Sequence, residues 1–163
     1  MTAKKERLAV YKAPPFPEEA AAAKADPCHN VFFMTRKAWK EIIRHCENER
    51  PCEACGLLSG KNGLAYKVWK MKNIHHSPTS FAMDHDELRY VFAEMDKYNQ
   101  QFMGIYHSHP SGIAYPSRED ILYNQYPDII HLIVSLAGQK PVLKAYRYHG
   151  TAVIPYKINV TDV

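Results

Sequence analysis

The 163-residue chain contains few cysteines and no long apolar run. Four cysteines in a chain of this size do not make the disulfide framework of a small secreted protein. No uninterrupted apolar stretch is long enough to cross a bilayer, and the N-terminal region lacks the apolar core of a signal peptide. These absences predict a reduced, cytoplasmic protein with no membrane partner.

Basic residues are not clustered either. The formal net charge is +4, but the lysines and arginines are scattered along the chain. Without a basic stripe, nothing in the sequence indicates a track for nucleic acid, and the small positive excess argues only weakly for an acidic partner. We therefore predict no nucleic-acid partner.

The overall amino-acid composition is that of an ordinary globular protein. Apolar residues make up 46% of the chain and charged residues 23%, and the length suits one domain with a sizeable core. Residues 1–27 differ in composition from the rest of the chain, because they are rich in Lys, Pro, Ala and Glu. Within them, the run Pro14-Pro15-Phe16-Pro17 excludes a helix. We predict a flexible N-terminal arm over residues 1–27 and a folded domain over residues 28–163.

Hydrophobic periodicity divides the domain into short strands and helices. The predicted strands cover residues 31–34, 54–59, 64–71, 102–107, 129–136, 142–148 and 151–159. The predicted helices cover residues 35–49, 84–101 and 117–126, with Thr35, Asp84 and Ser117 as N-caps. Strands and helices in this order predict an α+β fold.

Two histidines at the end of a predicted strand are the first sign of a functional site. His107 and His109 are two residues apart, so in an extended chain both imidazoles point to the same side. Asp120, in the first turn of the next predicted helix, can close the same site. Two histidines and one carboxylate leave a fourth tetrahedral position open, which is typical of a hydrolytic zinc site.

A purely structural explanation accounts for part of this pattern. Ser117 and Asp120 have the spacing of a helix capping box, in which each side chain binds the backbone of the other. The two interpretations are compatible, since a capping box also holds the carboxylate rigid. The combination of His107-Ser108-His109-Pro110 with Ser117 and Asp120 favours a metal site.

A hydrolytic site of this kind also needs a general base. Glu119 neighbours Asp120 but points elsewhere on a helix. Glu53 is the better candidate, because two strands of one sheet can bring it to the same edge as His107. From spacing alone, the support for Glu53 is small, because an acidic residue at a strand entrance is usually just solvated. Ser117 can donate a hydrogen bond to the oxyanion of a tetrahedral intermediate.

These stretches resemble the JAMM (MPN+) zinc metalloproteases, and in particular their small, stand-alone prokaryotic members. The matching stretches are Glu53–Gly60, Phe81–Asp84 and Gly104–Asp120, within residues 31–150. The resemblance implies a JAB/MPN-like fold, a curved mixed β-sheet flanked by helices.

The resemblance also implies a role for each site residue. His107, His109 and Asp120 would bind one zinc ion per chain. Glu53 would activate the attacking water, and Ser117 would stabilise the oxyanion. Members of the family hydrolyse the peptide or isopeptide bond after the C-terminal glycine of a ubiquitin-like protein, and prokaryotic members act on sulfur-carrier proteins. The implied partner is therefore a ubiquitin-like or sulfur-carrier protein that ends in glycine.

Two other functions fit parts of the sequence. A non-catalytic MPN-type scaffold would retain the zinc site without hydrolysis. A zinc nucleobase deaminase would use His45, Cys52 and Cys55 as ligands and Glu47 as its base. Against the deaminase, only four residues separate Glu47 from Cys52, and a histidine in the last turns of a helix suits the helix dipole.

Overall fold

The computed structural model describes residues 30–162, which contain seven strands and three helices. The strands are β1 (Val31–Thr35), β2 (Cys55–Lys61), β3 (Leu64–Met71), β4 (Gln101–His109), β5 (Ile130–Ser135), β6 (Val142–His149) and β7 (Ala152–Thr161). The helices are α1 (Arg36–Asn48), α2 (His85–Lys97) and α3 (Arg118–Leu122). None of these helices has the length and apolarity needed to span a bilayer. The arm predicted over residues 1–27 lies outside the described residues.

The strands form one mixed sheet in the order β1-β3-β2-β4-β5-β6-β7. The sheet closes because β1 pairs in parallel with both β3 and β7. The pairing of β4 with β5 is also parallel, and the remaining neighbours are antiparallel. The α+β class and the curved mixed sheet predicted above are confirmed.

The sheet separates the two larger of three apolar clusters. Helix α1 packs on one face, where Ile42 and Cys46 join a core drawn from several strands. Helix α2 packs on the other face, where Leu88, Val91 and Met95 contact a second core that includes residues of β2 and β4. Because both faces are covered, β2 and β5 are buried along nearly their whole length.

Side-chain caps determine where the first two helices begin. The Oγ1 atom of Thr35 accepts a hydrogen bond from the backbone N of Ala38 at 3.2 Å. At α2, Oδ1 of Asp84 accepts from the backbone N of Asp86 at 2.9 Å and of Glu87 at 3.0 Å. These bonds satisfy N–H groups that the first helical turn leaves without an intrahelical partner. Both predicted N-caps are confirmed.

Helix α2 ends at Lys97, earlier than the predicted Gln101. Asn99 adopts a φ of 50°, in the left-handed region where asparagine is better tolerated than most residues. The chain then reverses into β4. Propensity alone did not reveal this end, because the residues around it are all compatible with a helix.

Helix α3 covers Arg118–Leu122 and is shorter than the predicted helix over residues 117–126. The Oδ1 atom of Asn124 accepts a hydrogen bond from the backbone N of Tyr126 at 2.9 Å, a local turn that competes with helix. Pro127 follows, and a proline disfavours helical geometry in the residue before it.

Strand β4 lies in the middle of the sheet and carries the two histidines to its edge. Its antiparallel pairing with β2 places Cys55 opposite His107. Its parallel pairing with β5 aligns His107 with Ile133 and His109 with Ser135. The start of β2 and the ends of β4 and β5 therefore meet at one edge of the sheet.

Candidate active site and metal centre

Asp120 approaches the histidines from the first turn of α3. Ser117 is the N-cap of this helix, and its Oγ accepts from the backbone N of Asp120 at 3.1 Å. In return, Oδ2 of Asp120 accepts from the backbone N of Ser117 at 2.7 Å, so both halves of the predicted capping box are present. The capping box fixes the carboxylate, with Oδ2 at 3.4 Å from Nε2 of His107 and 3.3 Å from Nε2 of His109.

These three side chains converge on one point. The Nε2 atoms of His107 and His109 are 3.1 Å apart, which completes a nearly equilateral triangle with Oδ2 of Asp120. Ligand atoms around a tetrahedral zinc ion, at the usual bond lengths to nitrogen and oxygen, are about 3.3 Å apart. Within residues 30–162, this is the one group of three or more His, Cys, Asp or Glu residues that meets the geometric requirement for a metal site. The donor set therefore fits a tetrahedral cation with its fourth position open.

Contacts behind the rings orient both histidines. Nδ1 of His109 lies 2.8 Å from the carbonyl of Ile113 and donates to it, so Nε2 is the ring nitrogen left for a metal ion. A metal-binding histidine generally needs such a bond at its other ring nitrogen. The ring of His107 is buried and stacks on Phe81, with ring centroids 4.6 Å apart.

The charges of the three side chains stabilise one another. Burial alone raises the pKa of Asp120, but hydrogen bonds from His107 and His109 outweigh burial and bring the pKa well below its usual range. Burial lowers the pKa of His109, but hydrogen bonds to Asp120 and to the carbonyl of Ile113 outweigh it, and the net pKa is raised. The site thus combines an ionised carboxylate with the basic imidazole of His109. Metal binding to such a site displaces protons.

Glu53 is buried at the entrance to β2, with 4% of its surface exposed. The pairing of β2 with β4 extends beyond the strand, since the backbone N of Ser108 donates to the carbonyl of Ala54 at 3.0 Å. Continuing this register places Glu53 opposite His109 and on the same face of the sheet. Burial raises the pKa of Glu53 to about 8, while the charge of His109 lowers it. Burial excludes the solvated-carboxylate explanation.

One residue that the sequence analysis missed is Asn73, in the loop between β3 and α2. The side chain of Asn73 is buried and makes four hydrogen bonds. Its Nδ2 donates to the carbonyls of Glu53 and Ser80, both at 3.0 Å, and its Oδ1 accepts from the backbone N of His75 at 3.0 Å and of Ala82 at 3.2 Å. This is the full capacity of an amide side chain. Asn73 therefore attaches the loop to the backbone of the proposed base.

The structure does not bring the deaminase-type ligands together. Nδ1 of His45 is 2.7 Å from Oη of Tyr106, in a buried contact on the α1 side of the sheet. Cys55 belongs to the core on the α2 side, and burial raises the pKa of its thiol well above the ordinary value. A thiol of this kind resists forming the thiolate that binds zinc. Among the described residues, His45, Cys52 and Cys55 form no metal-binding group.

Comparison with known proteins connects this geometry with a family. The sequence profile of the prokaryotic homologs of the JAB domain matches residues 35–149. The chain is 32% identical over 124 residues to the CysO-cysteine peptidase of Mycobacterium tuberculosis, and this alignment covers 74% of this chain and 85% of that protein. It is 34% identical over 119 residues to the desampylase of Pyrococcus furiosus, which covers 73% of this chain and 84% of that protein.

Solved structures show the same fold. A protein from Desulfitobacterium hafniense aligns with a TM-score of 0.74 and 33% identity, over 82% of this chain and 94% of that chain. A JAB1/MPN domain protein from Archaeoglobus fulgidus aligns with a TM-score of 0.55 and 21% identity, over 78% of this chain and 97% of that chain. The resemblance carried by Glu53–Gly60 and Gly104–Asp120 is thereby confirmed. The chain belongs to the family of prokaryotic homologs of the JAB domain.

Proposed function

We propose that this protein is a zinc-dependent peptidase that hydrolyses the peptide or isopeptide bond after the C-terminal glycine of a ubiquitin-like or sulfur-carrier protein. The observation that carries the proposal is the triangle of His107, His109 and Asp120 beside the buried carboxylate of Glu53. The predicted peptidase class is confirmed by relatives named CysO-cysteine peptidase and desampylase. Those names also support a carrier protein as the substrate of this chain.

His107, His109 and Asp120 would hold the metal ion. Zinc bound there supplies Lewis acidity, which makes a water molecule acidic near neutral pH and polarises a carbonyl group. Two imidazole nitrogens and one carboxylate oxygen are donors that suit zinc. The role of the protein is to keep these donors in place and to leave room for substrate.

Glu53 has the environment of a general base. Burial raises its pKa above the ordinary value for a carboxyl group, which makes the ionised carboxylate a stronger proton acceptor than a solvated glutamate. In the proposed reaction, Glu53 takes a proton from the attacking water and passes it to the leaving amine. Because the side chain is buried, it exchanges protons with the reacting groups more readily than with bulk solvent.

Ser117 has a hydroxyl hydrogen to spare for the oxyanion. Its Oγ acts as acceptor in the capping box, from the backbone N of Asp120. The O–H group of Ser117 is therefore not needed for the cap and can donate to the oxygen that becomes negative in the tetrahedral intermediate.

Ser117→Ala should affect both stability and turnover. Loss of the cap should lower the free energy of unfolding by about 1 kcal/mol. Loss of the oxyanion donor should lower kcat by about 100-fold. Urea denaturation and steady-state kinetics measure the two effects separately, and Ser117→Thr, which keeps a hydroxyl, should restore much of both. An unchanged kcat in folded Ser117→Ala would restrict the residue to capping.

Removal of the metal should inactivate the protein without unfolding it. Both apolar cores are built from side chains other than the proposed ligands, so the sheet does not depend on the ion. After treatment with a chelator, we expect native far-UV circular dichroism, a cooperative melting transition and activity that returns on adding zinc. Loss of native dichroism on chelation would contradict this.

Exposed apolar side chains flank the site and support a protein substrate. Ile113 and Tyr115 are exposed in the loop that precedes α3, and Leu122 and Tyr123 are exposed after Asp120. Apolar side chains grouped on a surface commonly mark a protein-binding region. Their closeness to Asp120 in the chain supports such a region at the mouth of the proposed active site.

Intact-mass spectrometry tests the proposed reaction directly. A panel of small ubiquitin-like carrier proteins, each extended beyond its C-terminal glycine by cysteine, by a peptide or through a lysine side chain, is incubated with the zinc-loaded protein. We expect at least one substrate to lose the mass of the extension, leaving a free terminal glycine. Zinc-loaded protein that binds carriers but cleaves none of these bonds would instead favour the scaffold function.

A further inference from the structure

Three buried polar atoms near the proposed metal ligands have no hydrogen-bond partner among the described residues. They are Nδ1 of His107, Nε2 of His131 and Oη of Tyr148. These side chains are only 1%, 6% and 1% exposed, respectively. Buried polar groups in native proteins are almost always bonded to protein or to ordered water, because leaving one unpaired costs about 1–3 kcal/mol. Three such atoms in one region therefore call for a common partner.

The three side chains lie on the same face of the sheet. The parallel register pairs Ile105 of β4 with His131 of β5, so His131 and His107 project from neighbouring strands to one side. The ring of Tyr148 stacks on that of His131, with centroids 4.3 Å apart and planes at 18°. Burial raises the pKa of Tyr148, and the charge of Asp120 adds to this effect. Tyr148 is therefore within electrostatic reach of the metal ligands.

Their hydrogen-bonding capacities are complementary. Nε2 of His107 faces the other proposed ligands, and when Nε2 binds a metal ion the ring hydrogen lies on Nδ1, which is then a donor. The ring of His131 is hydrogen-bonded to the backbone of Tyr126. Because its Nε2 has no partner, we assign that bond to Nδ1–H, which leaves Nε2 as an acceptor. The hydroxyl of Tyr148 can donate and accept.

A buried water molecule satisfies this set. Buried waters typically make about three hydrogen bonds to polar groups that would otherwise be unpaired. Here a single water would accept from Nδ1–H of His107 and from the hydroxyl of Tyr148, and would donate to Nε2 of His131. These three hydrogen bonds require no charged group on His107, His131 or Tyr148.

We propose that His131 and Tyr148 are positioning residues, which hold a buried water against Nδ1–H of His107 and thereby keep its Nε2 directed at the metal. This inference rests on the metal site of the proposed function. The two histidine ligands are then oriented by different means, since His109 donates directly to the carbonyl of Ile113. Groups that bind the second nitrogen of a metal-binding histidine commonly change metal affinity by about 10- to 100-fold.

Zinc affinity of the full chain, measured by competition with a chromophoric chelator, tests the proposal. Tyr148→Phe removes only the hydroxyl, and His131→Leu removes the acceptor. We expect each to weaken zinc binding by about 10- to 100-fold. The visible absorption of the Co²⁺-substituted protein should change in the same variants, since it reports ligand geometry. His131→Gln, which offers an amide oxygen as acceptor, should recover much of the affinity.

Tyr106→Phe is the matched control. It also removes a buried hydroxyl from the sheet, but one that is bonded to His45 on the opposite face. It should lower stability and leave zinc affinity and the cobalt spectrum unchanged. If His131→Leu does not fold, the zinc affinity of Tyr148→Phe alone tests the proposal. Phenylalanine keeps the aromatic ring and its packing, so this variant should fold.

The outcomes separate this inference from the proposed function. Wild-type zinc affinity and cobalt spectra in folded Tyr148→Phe and His131→Leu would overturn the inference alone. A wild-type protein that binds no zinc would overturn both. A loss of affinity in Tyr106→Phe equal to that in Tyr148→Phe would also overturn it, because the effect would then be one of general stability.

Discussion

Replacing Glu53 with glutamine should lower kcat by about 10²- to 10⁴-fold while the protein keeps its zinc. Glutamine has nearly the shape of glutamate, but it cannot take a proton from water. The side chain is buried on the same face of the sheet as His109, yet it does not belong to the group of three converging ligand atoms. The substitution should therefore remove a proton acceptor without removing a metal ligand.

The measurement is kcat together with zinc content for wild type, Glu53→Gln and a matched control. Glu119→Gln is that control, because Glu119 is a carboxylate of the same helix turn as Asp120 but is exposed to solvent. It should retain near wild-type kcat. Loss of zinc from Glu53→Gln would indicate that Glu53 is a metal ligand rather than a base. An unchanged kcat with zinc bound would remove Glu53 from the reaction.

His107→Ala should reduce the metal content from about one zinc per chain to nearly none, and hydrolysis should disappear with it. His107 contributes one corner of the ligand triangle, and its Nε2 lies within 3.4 Å of Oδ2 of Asp120. Two remaining ligands bind zinc far more weakly than three. Elemental analysis of protein purified without chelators measures the effect directly.

The double variant Cys52→Ser/Cys55→Ser is the informative comparison for zinc content. It should keep its zinc, because neither thiol is part of the ligand group. Cys55 is buried in an apolar core, so the double variant should be less stable, and circular dichroism establishes that it is folded. Zinc lost from the folded double variant and kept in His107→Ala would overturn the assignment of the site.

The convergence of His107, His109 and Asp120 was largely predictable because its signals are local. The two-residue spacing of His107 and His109 follows from strand geometry, and the spacing of Ser117 and Asp120 follows from helix capping. Both depend on residues close together in the chain. The resemblance supplied the role proposed for Glu53, which spacing alone left open.

What sequence reasoning missed depends on contacts between distant segments. The closure of the sheet through β1 requires pairing with both β3 and β7, and no local pattern encodes that choice. Asn73 sits among polar loop residues and shows its function only where it bonds the backbone of Glu53. His131 lies within an apolar strand, where a single histidine has no distinctive periodicity.

The capping box on α3 has a consequence for how the proposed metal site would take up an ion. The backbone of Ser117, rather than the metal, holds the carboxylate of Asp120 in the orientation that binding requires. The carbonyl of Ile113 does the same for His109. Loading should therefore require no ordering of a loop, and the ion should exchange at a rate governed by its access and dehydration. Different divalent cations should enter the same preorganised geometry, so their relative affinities would reflect each ion's own coordination preference.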